Sequence, residues 1–149
     1  MKVSQRVTYG IMAAVDLAMN GNDVPVQARA IARRQTIPVR FLEQVLHAMK
    51  KAGLVESLRG AQGGYMLVRK PSDLSVADIW EALDGPVFHR TLQGQSALDK
   101  RLSKQDLLLG NVWEQVQQAE RGVLGGITVE HLVGRQRTIE EQRNPMYHI

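Results

Sequence analysis

The segment from Ile37 to Val68, "IPVRFLEQVLHAMKKAGLVESLRGAQGGYMLV", constrains the fold more than any other part of the chain. Its first half has the punctuation of one helix of about four turns, with Pro38 at its start and Lys50, Lys51 and Gly53 where a C-terminus favours them. Leu42, Val45, Leu46 and Met49 fall on one face and Arg40, Glu43, Gln44, His47 and Lys51 on the other. Two short extended runs follow, "VESL" and "GYMLV", around a glycine-bearing turn, and this spacing predicts a β-hairpin.

Upstream, "VQARAIARR" predicts a short helix with Ala28, Ile31 and Ala32 inward, separated by a tight turn from the capped helix. A short helix, a turn and a longer helix make a helix-turn-helix, and the hairpin beside it is then a wing. Residues of the first helix, "MKVSQRVTYGIMAAVDLAM", place Val7, Ile11, Ala14, Val15 and Ala18 on a core-facing stripe. Thr8, Tyr9 and Asp16 interrupt it too early for a signal peptide, and no run approaches the roughly 18 apolar residues of a membrane span.

The outer face of the longer helix is either an ordinary solvated surface or a reading surface. Arg donates twice to guanine O6 and N7, Gln pairs with adenine, and Glu accepts from cytosine N4. The helix-turn-helix context favours reading, with Arg40, Glu43 and Gln44 at the end that enters a major groove. In the wing, Gly60, Gly63 and Gly64 give clearance against a sugar-phosphate wall, and Arg59 suits a narrow minor groove. No Gly-Lys-Ser/Thr follows, so a phosphate-binding loop does not fit.

Charge divides the chain the same way. Residues 1–70 carry eleven Lys/Arg against four Asp/Glu, a net of +7, and the remainder carries eight against eleven, a net of −3, which together make the chain's +4. A front half of that sign either faces a polyanion or is a solvated basic surface, and charge alone does not choose between them. The chain contains no cysteine, which removes disulfides, thiolate catalysis and cysteine-held metal clusters, and fits a cytoplasmic protein. His47, His89, His131 and His148 are too scattered for a metal spacing and read as solvated or capping side chains, and nothing is arranged for nucleophilic catalysis, so no enzyme is expected.

In the back half, Ser75 with Asp78 reads as a capping box opening "VADIWEAL", and Asp84-Gly85-Pro86 as its stop. A polar run from Arg90 to Arg101 reads as a loop. A long helix from Ser103 to about Leu124 follows, ended by Gly125-Gly126. Leu108, Val112, Gln115, Ala119 and Val123 form its stripe, widened by Leu107, Leu109 and Val116. That stripe predicts a two-fold homodimer, with Leu108, Val112, Val116, Ala119 and Val123 at its centre. "ITVEHLV", capped by Thr128, reads as a short returning helix bracing the long one, before a polar tail.

The string "FLEQVLHAMKKAGLVESLRGAQGGYML" closely resembles the Rrf2 family of winged-helix transcriptional regulators, strongly to about Pro86 and loosely beyond. The resemblance implies a mainly α fold with a small β-hairpin and a dimeric regulator, with Glu43, Gln44 and position 40 facing bases and Arg59 in the minor groove. The full DNA-facing set expected is Lys2, Ser4, Arg6, Arg40, Glu43, Gln44, His47, Lys51, Arg59, Gly60, Gly63 and Gly64. Cluster-binding members carry three cysteines after "DGP"; Val87 to Val112 here has none, and Gly110 stands three before Trp113 where a histidine is common. The chain is most similar to the cysteine-free, CymR-like members, and that likeness implies that Ile149, ending "MYHI", docks on O-acetylserine thiol-lyase.

These readings divide the chain into a DNA-binding head over 1–86, a sensor or linker loop over 87–103, and a dimerisation helix with tail over 104–149. They point to a repressor on a palindromic operator, tuned through head spacing by something bound near 87–112 or by a partner enzyme. The alternative is a winged-helix interaction module acting on an acidic partner, on lipid, or on an enzyme complex such as cysteine synthase.

Overall fold

The computed structural model describes residues 2–85 and 103–144. Residues 87–102 of the expected sensor loop, with His89, and residues 145–149 of the tail, with His148 and Ile149, lie outside them. Six α-helices and one hairpin follow in the order α1 (Gln5–Asn20), α2 (Ala28–Gln35), α3 (Val39–Lys51), β1 (Val55–Leu58), β2 (Gly64–Leu67), α4 (Val76–Asp84), α5 (Lys104–Gly125) and α6 (Val129–Arg143), with a 3₁₀ turn at Pro71–Asp73. The fold is mainly α with a small antiparallel β-hairpin, as expected, and the hairpin register pairs Val55 with Leu67 and Leu58 with Gly64. Val26 adds a one-residue bridge to Tyr65, so the loop before α2 lies against the wing base.

The head is held by apolar residues from α1, α2, α3, β1 and α4. Leu42, Val45, Leu46 and Met49 of α3 are all buried, and burying each contributes roughly 1.5–3 kcal/mol. Ile31 and Ala32 of α2 are buried with them, and Ala28 is half-buried. Pro38 stands as the N-cap of α3, one position before its first turn.

Three sequence expectations need correction. First, α1 is enclosed on more than its expected stripe: Val7 and Ala14 are buried and Ile11, Val15 and Ala18 half-buried, while Gly10, Ala13, Asp16 and Leu17 are buried as well. The reason is that α2, α3, α4 and α6 all pack on α1, which makes it the central rod of the head. A β-carbon at Gly10 would strike the Leu83 side chain of α4, so the two helices approach there without one.

Second, α6 is a 15-residue helix that continues through most of the segment expected to be tail. Third, it packs on α1 and the 3₁₀ turn, where a brace for α5 was expected. Val129 and Val133 enter the head core. The junction is stitched by backbone: Val76 N–H donates to Ile127 O at 2.9 Å and Val129 N–H to Leu74 O at 2.8 Å. Side-chain caps reinforce it. Ser75 and Asp78 form the expected capping box on α4, and Thr128 forms one on α6 with His131, whose Nδ1 accepts from the Thr128 N–H. His131 is therefore a capping histidine.

No helix among the described residues is long and apolar enough to cross a membrane.

Candidate nucleic-acid interface

Helix α3 is closed tightly at its C-terminus. Ala52 ends α3, the Gly53 N–H donates to Lys50 O and the Leu54 N–H to Met49 O, with Gly53 at φ +78°. This double closure satisfies the last carbonyls and turns the chain directly into β1. Phe41 meets Tyr9 of α1 edge-on at 5.4 Å, which fixes the N-terminal turn of α3 against the head.

With the apolar face inward, Arg40, Glu43, Gln44, His47 and Lys51 are all exposed, as expected. Among the described residues none of the five side chains forms a salt bridge. The structure therefore brings a donor–acceptor row to one surface of a rigid helix. Lys50 Nζ, on the edge of that face, donates to Ser57 Oγ of β1 at 2.7 Å and ties α3 to the hairpin.

Arg59 and Gly60 are exposed at the wing tip, with open space around Gly60. The other two glycines have an internal reason, which replaces the one expected from sequence. Gly63 is buried, and a β-carbon there would strike the Leu58 carbonyl oxygen; one on Gly64, at φ +150°, would strike the Val26 backbone. They let the hairpin close on itself and on the strand-like loop before α2.

Lys2 and Arg6 are exposed near the start of α1. Ser4 is the N-cap of that helix, its Oγ accepting the Val7 N–H at 3.2 Å, so its first role is local.

Sequence reasoning missed one polar cluster behind this surface. The Asp16 side chain is fully buried, and it accepts from Arg34 Nε at 2.9 Å, Arg34 Nη2 at 2.7 Å and Gln35 Nε2 at 2.9 Å. The hydrogen bond to Asp16, helped by their charge attraction, outweighs desolvation and raises the Arg34 pKa above its ordinary value. Asp16 reads in sequence only as an interruption in an apolar run. Its spacing of 18 residues from Arg34 gives no local signal.

Away from the head, α5 presents the stripe expected of it without a cover. Leu107, Leu108, Leu109, Val112, Trp113, Val116 and Val123 are exposed large apolar residues, with Leu108 at 75%. Ala119 is exposed with them, and no residue of the helix is buried. Ser103 caps it in a box with Asp106, and it touches the head through α4, where Arg121 Nη2 lies 3.5 Å from Glu81 Oε1.

The family model described as an iron-dependent transcriptional regulator, Rrf2, matches residues 3–135. The HTH-type transcriptional regulator CymR of Bacillus subtilis (strain 168) is 31% identical over 149 residues, covering 100% of both chains. The HTH-type transcriptional regulator IscR of Klebsiella pneumoniae (strain 342) is 31% identical over 153 residues, covering 97% of this chain and 92% of its own. Among solved structures, that of CymR (YrzC), the global cysteine regulator of B. subtilis, superposes with a TM-score of 0.72 at 30% identity, over 91% of this chain and 98% of that one. IscR of T. potens gives 0.71 at 36% identity, over 91% and 88%.

The description of the family as iron-dependent can be tested against the side chains present. The sequence contains no cysteine, and among the described residues no group of three His, Cys, Asp or Glu is placed to hold a metal ion. The residues do not fit an iron–sulfur cluster on this chain's own ligands.

Proposed function

The chain belongs to the Rrf2 family of DNA-binding transcriptional regulators, and from that premise we propose that it is a repressor acting as a homodimer on a palindromic operator. The observation that carries the reading is the exposed row on α3, coupled through Lys50 and Ser57 to a wing whose tip offers Arg59. In this arrangement Arg40, Glu43 and Gln44 meet base edges in the major groove and Arg59 enters the minor groove beside it. Lys51, His47, Lys2, Ser4 and Arg6 line the phosphate walls, with the backbone around Gly60 closest at the wing tip. The head over residues 1–86 does the reading, helped by α6.

The dimer rests on α5. An apolar stripe this long, left bare on a single chain, is rare on soluble monomers, and a second copy of the same helix covers it isologously. Leu108, Val112, Val116, Ala119 and Val123 form the seam. Two heads on one axis then read half-sites about one helical turn, or a multiple of it, apart. Residues 87–103 join head to seam, and a signal that shifts head spacing there alters operator affinity about five- to 150-fold with only about 1–3 kcal/mol of coupling. Docking of Ile149 on O-acetylserine thiol-lyase belongs to the same proposal; deleting Ile149 is expected to end co-purification with that enzyme and leave DNA binding intact.

The test is selection of bound fragments from genomic DNA at low salt, followed by a salt titration on the recovered site. A palindrome and a log–log slope of about −0.9 per phosphate contacted are expected. Retention of no fragment would overturn the reading. The seam is tested separately by Val116→Glu, which is expected to convert the sedimenting dimer to monomer while far-ultraviolet dichroism still reports the helices.

A further inference from the structure

We propose that Asp16 is a positioning residue for DNA reading: a buried carboxylate on α1 that fixes the angle at which α2 hands the chain to α3. The inference rests on the reading of α3 as the base-contacting helix. All three of its side-chain donors come from two consecutive residues, Arg34 and Gln35, in the final turn of α2. Immediately after them, Thr36, in a left-handed conformation at φ 55°, Ile37 and Pro38 make the turn into α3. The clamp therefore holds the last fixed point before the reading helix begins.

Stability alone does not call for such a clamp. The Asp16 carboxylate is fully buried while the Arg34 side chain keeps 40% of its surface exposed, and the cost of taking the carboxylate out of water offsets much of the attraction, so the pair is on average no more stabilising than well-packed apolar residues. What it supplies that apolar residues do not is direction. The packing of Leu42, Val45, Leu46 and Met49 is non-directional and resists separation more than sliding. A guanidinium fork on a carboxylate fixes distance and plane together, and Gln35 Nε2 donates a further bond to Oδ2, the oxygen that already accepts from Arg34 Nε.

Base reading needs that precision, since donor–acceptor distances must fall within about 2.7–3.2 Å, whereas phosphate contacts by lysine tolerate displacement. Loosening the clamp should therefore harm specific binding far more than general binding.

The experiment compares full-length wild type, Asp16→Asn and Arg34→Lys on two labelled duplexes of equal length, the selected operator and a scrambled version, at one salt concentration and per mole of folded protein. Asn keeps the shape of Asp16 without its charge, and Lys keeps the charge of Arg34 without its fork. Expected is a fall of about tenfold or more in the specific-to-scrambled affinity ratio for Asp16→Asn, a smaller fall for Arg34→Lys, and scrambled-DNA affinity unchanged within about twofold. A lowered melting temperature with an unchanged ratio would show a structural role only and overturn the inference. If Asp16→Asn does not fold, Arg34→Lys decides by the same ratio. A wild type that binds both duplexes equally overturns the base-reading proposal itself, and this inference with it; a wild type that discriminates while both variants discriminate equally well overturns this inference alone.

Discussion

Helix α3, the proposed base-contacting helix, and the long helix α5 both reach the surface, yet they are built in opposite ways. On α3, Leu42, Val45, Leu46 and Met49 are buried, Phe41 is half-buried and Val39 alone of the large apolar residues is exposed; on α5, seven large apolar residues are exposed, none is buried, and Leu124 at its end is half-buried against the head. The first helix is complete within one chain. The second is an unfinished core half, and α6 shows that the chain had the means to finish it otherwise, because α6 returns past α5 to place Val129 and Val133 in the head. A bare α5 beside a returning α6 is the observation that supports the proposed homodimer.

The sharpest way to break this contrast is to cut the same side chain from each helix. Leu46→Ala on α3 removes a fully buried leucine and is expected to cost about 2–5 kcal/mol of unfolding free energy by chemical denaturation. Leu108→Ala on α5, at 75% exposure, is expected to change monomer stability by no more than roughly 0.5 kcal/mol, with its cost appearing as a higher dimer dissociation constant in sedimentation. Equal costs at low protein concentration would mean that α5 is covered within its own chain.

The polar face of α3 can be divided next. Glu43→Ala is expected to relax discrimination at one base pair of each half-site by about 1–3 kcal/mol in competition binding. Lys51→Ala is expected to weaken every sequence alike and reduce the salt slope by about one, and Arg59→Ala to weaken the operator. None of the three is expected to alter dimer sedimentation. If Glu43→Ala and Lys51→Ala behave identically, α3 does not lie in the groove with Glu43 toward the bases and Lys51 toward the phosphates.

Smaller again is the effect of the helix caps, and here the contrast predicts an asymmetry. Ser75→Ala removes one half of a capping box at the seam where α4, the α5–α6 turn and the core meet, and is expected to cost about 0.5–2 kcal/mol. Ser103→Ala removes the same motif from the exposed start of α5 and is expected to stay at the low end of that range, mainly as fraying seen by amide exchange.

How much of this was legible in the sequence follows from the range of each interaction. Periodicity and punctuation placed α3, the hairpin, the Ser75 and Thr128 caps and the α5 stripe, because each is written in residues three to seven apart, at Leu42 through Met49 or Ser75 with Asp78. The resemblance carried by "LVESLRGAQGGYML" then named the family, and Rrf2 is the family whose model matches residues 3–135. What was not legible is long-range. The 18-residue gap between Asp16 and Arg34 hid the clamp, the enclosure of α1 depended on four partner helices, and α6 carries so weak an apolar side that its destination could not be read from its own spacing. For Gly63 and Gly64, sequence identified that a β-carbon is excluded but not by what: the obstacles are Leu58 and Val26 of the same chain.

The smallest expected effect lies at the link between α3 and the hairpin. Ser57→Ala deletes an exposed acceptor for Lys50, and an exposed hydrogen bond of this kind is expected to change folding stability by only about 0.5 kcal/mol. Its information is in coupling. If Lys50 and Ser57 hold the wing to α3 as one body, Ser57→Ala and Arg59→Ala act on the same minor-groove contact, and their effects on operator affinity combine to less than the two taken separately. Full additivity in that double-mutant cycle would mean that the wing finds its groove without help from the reading helix, and the contrast would then run within the head as well as between head and α5.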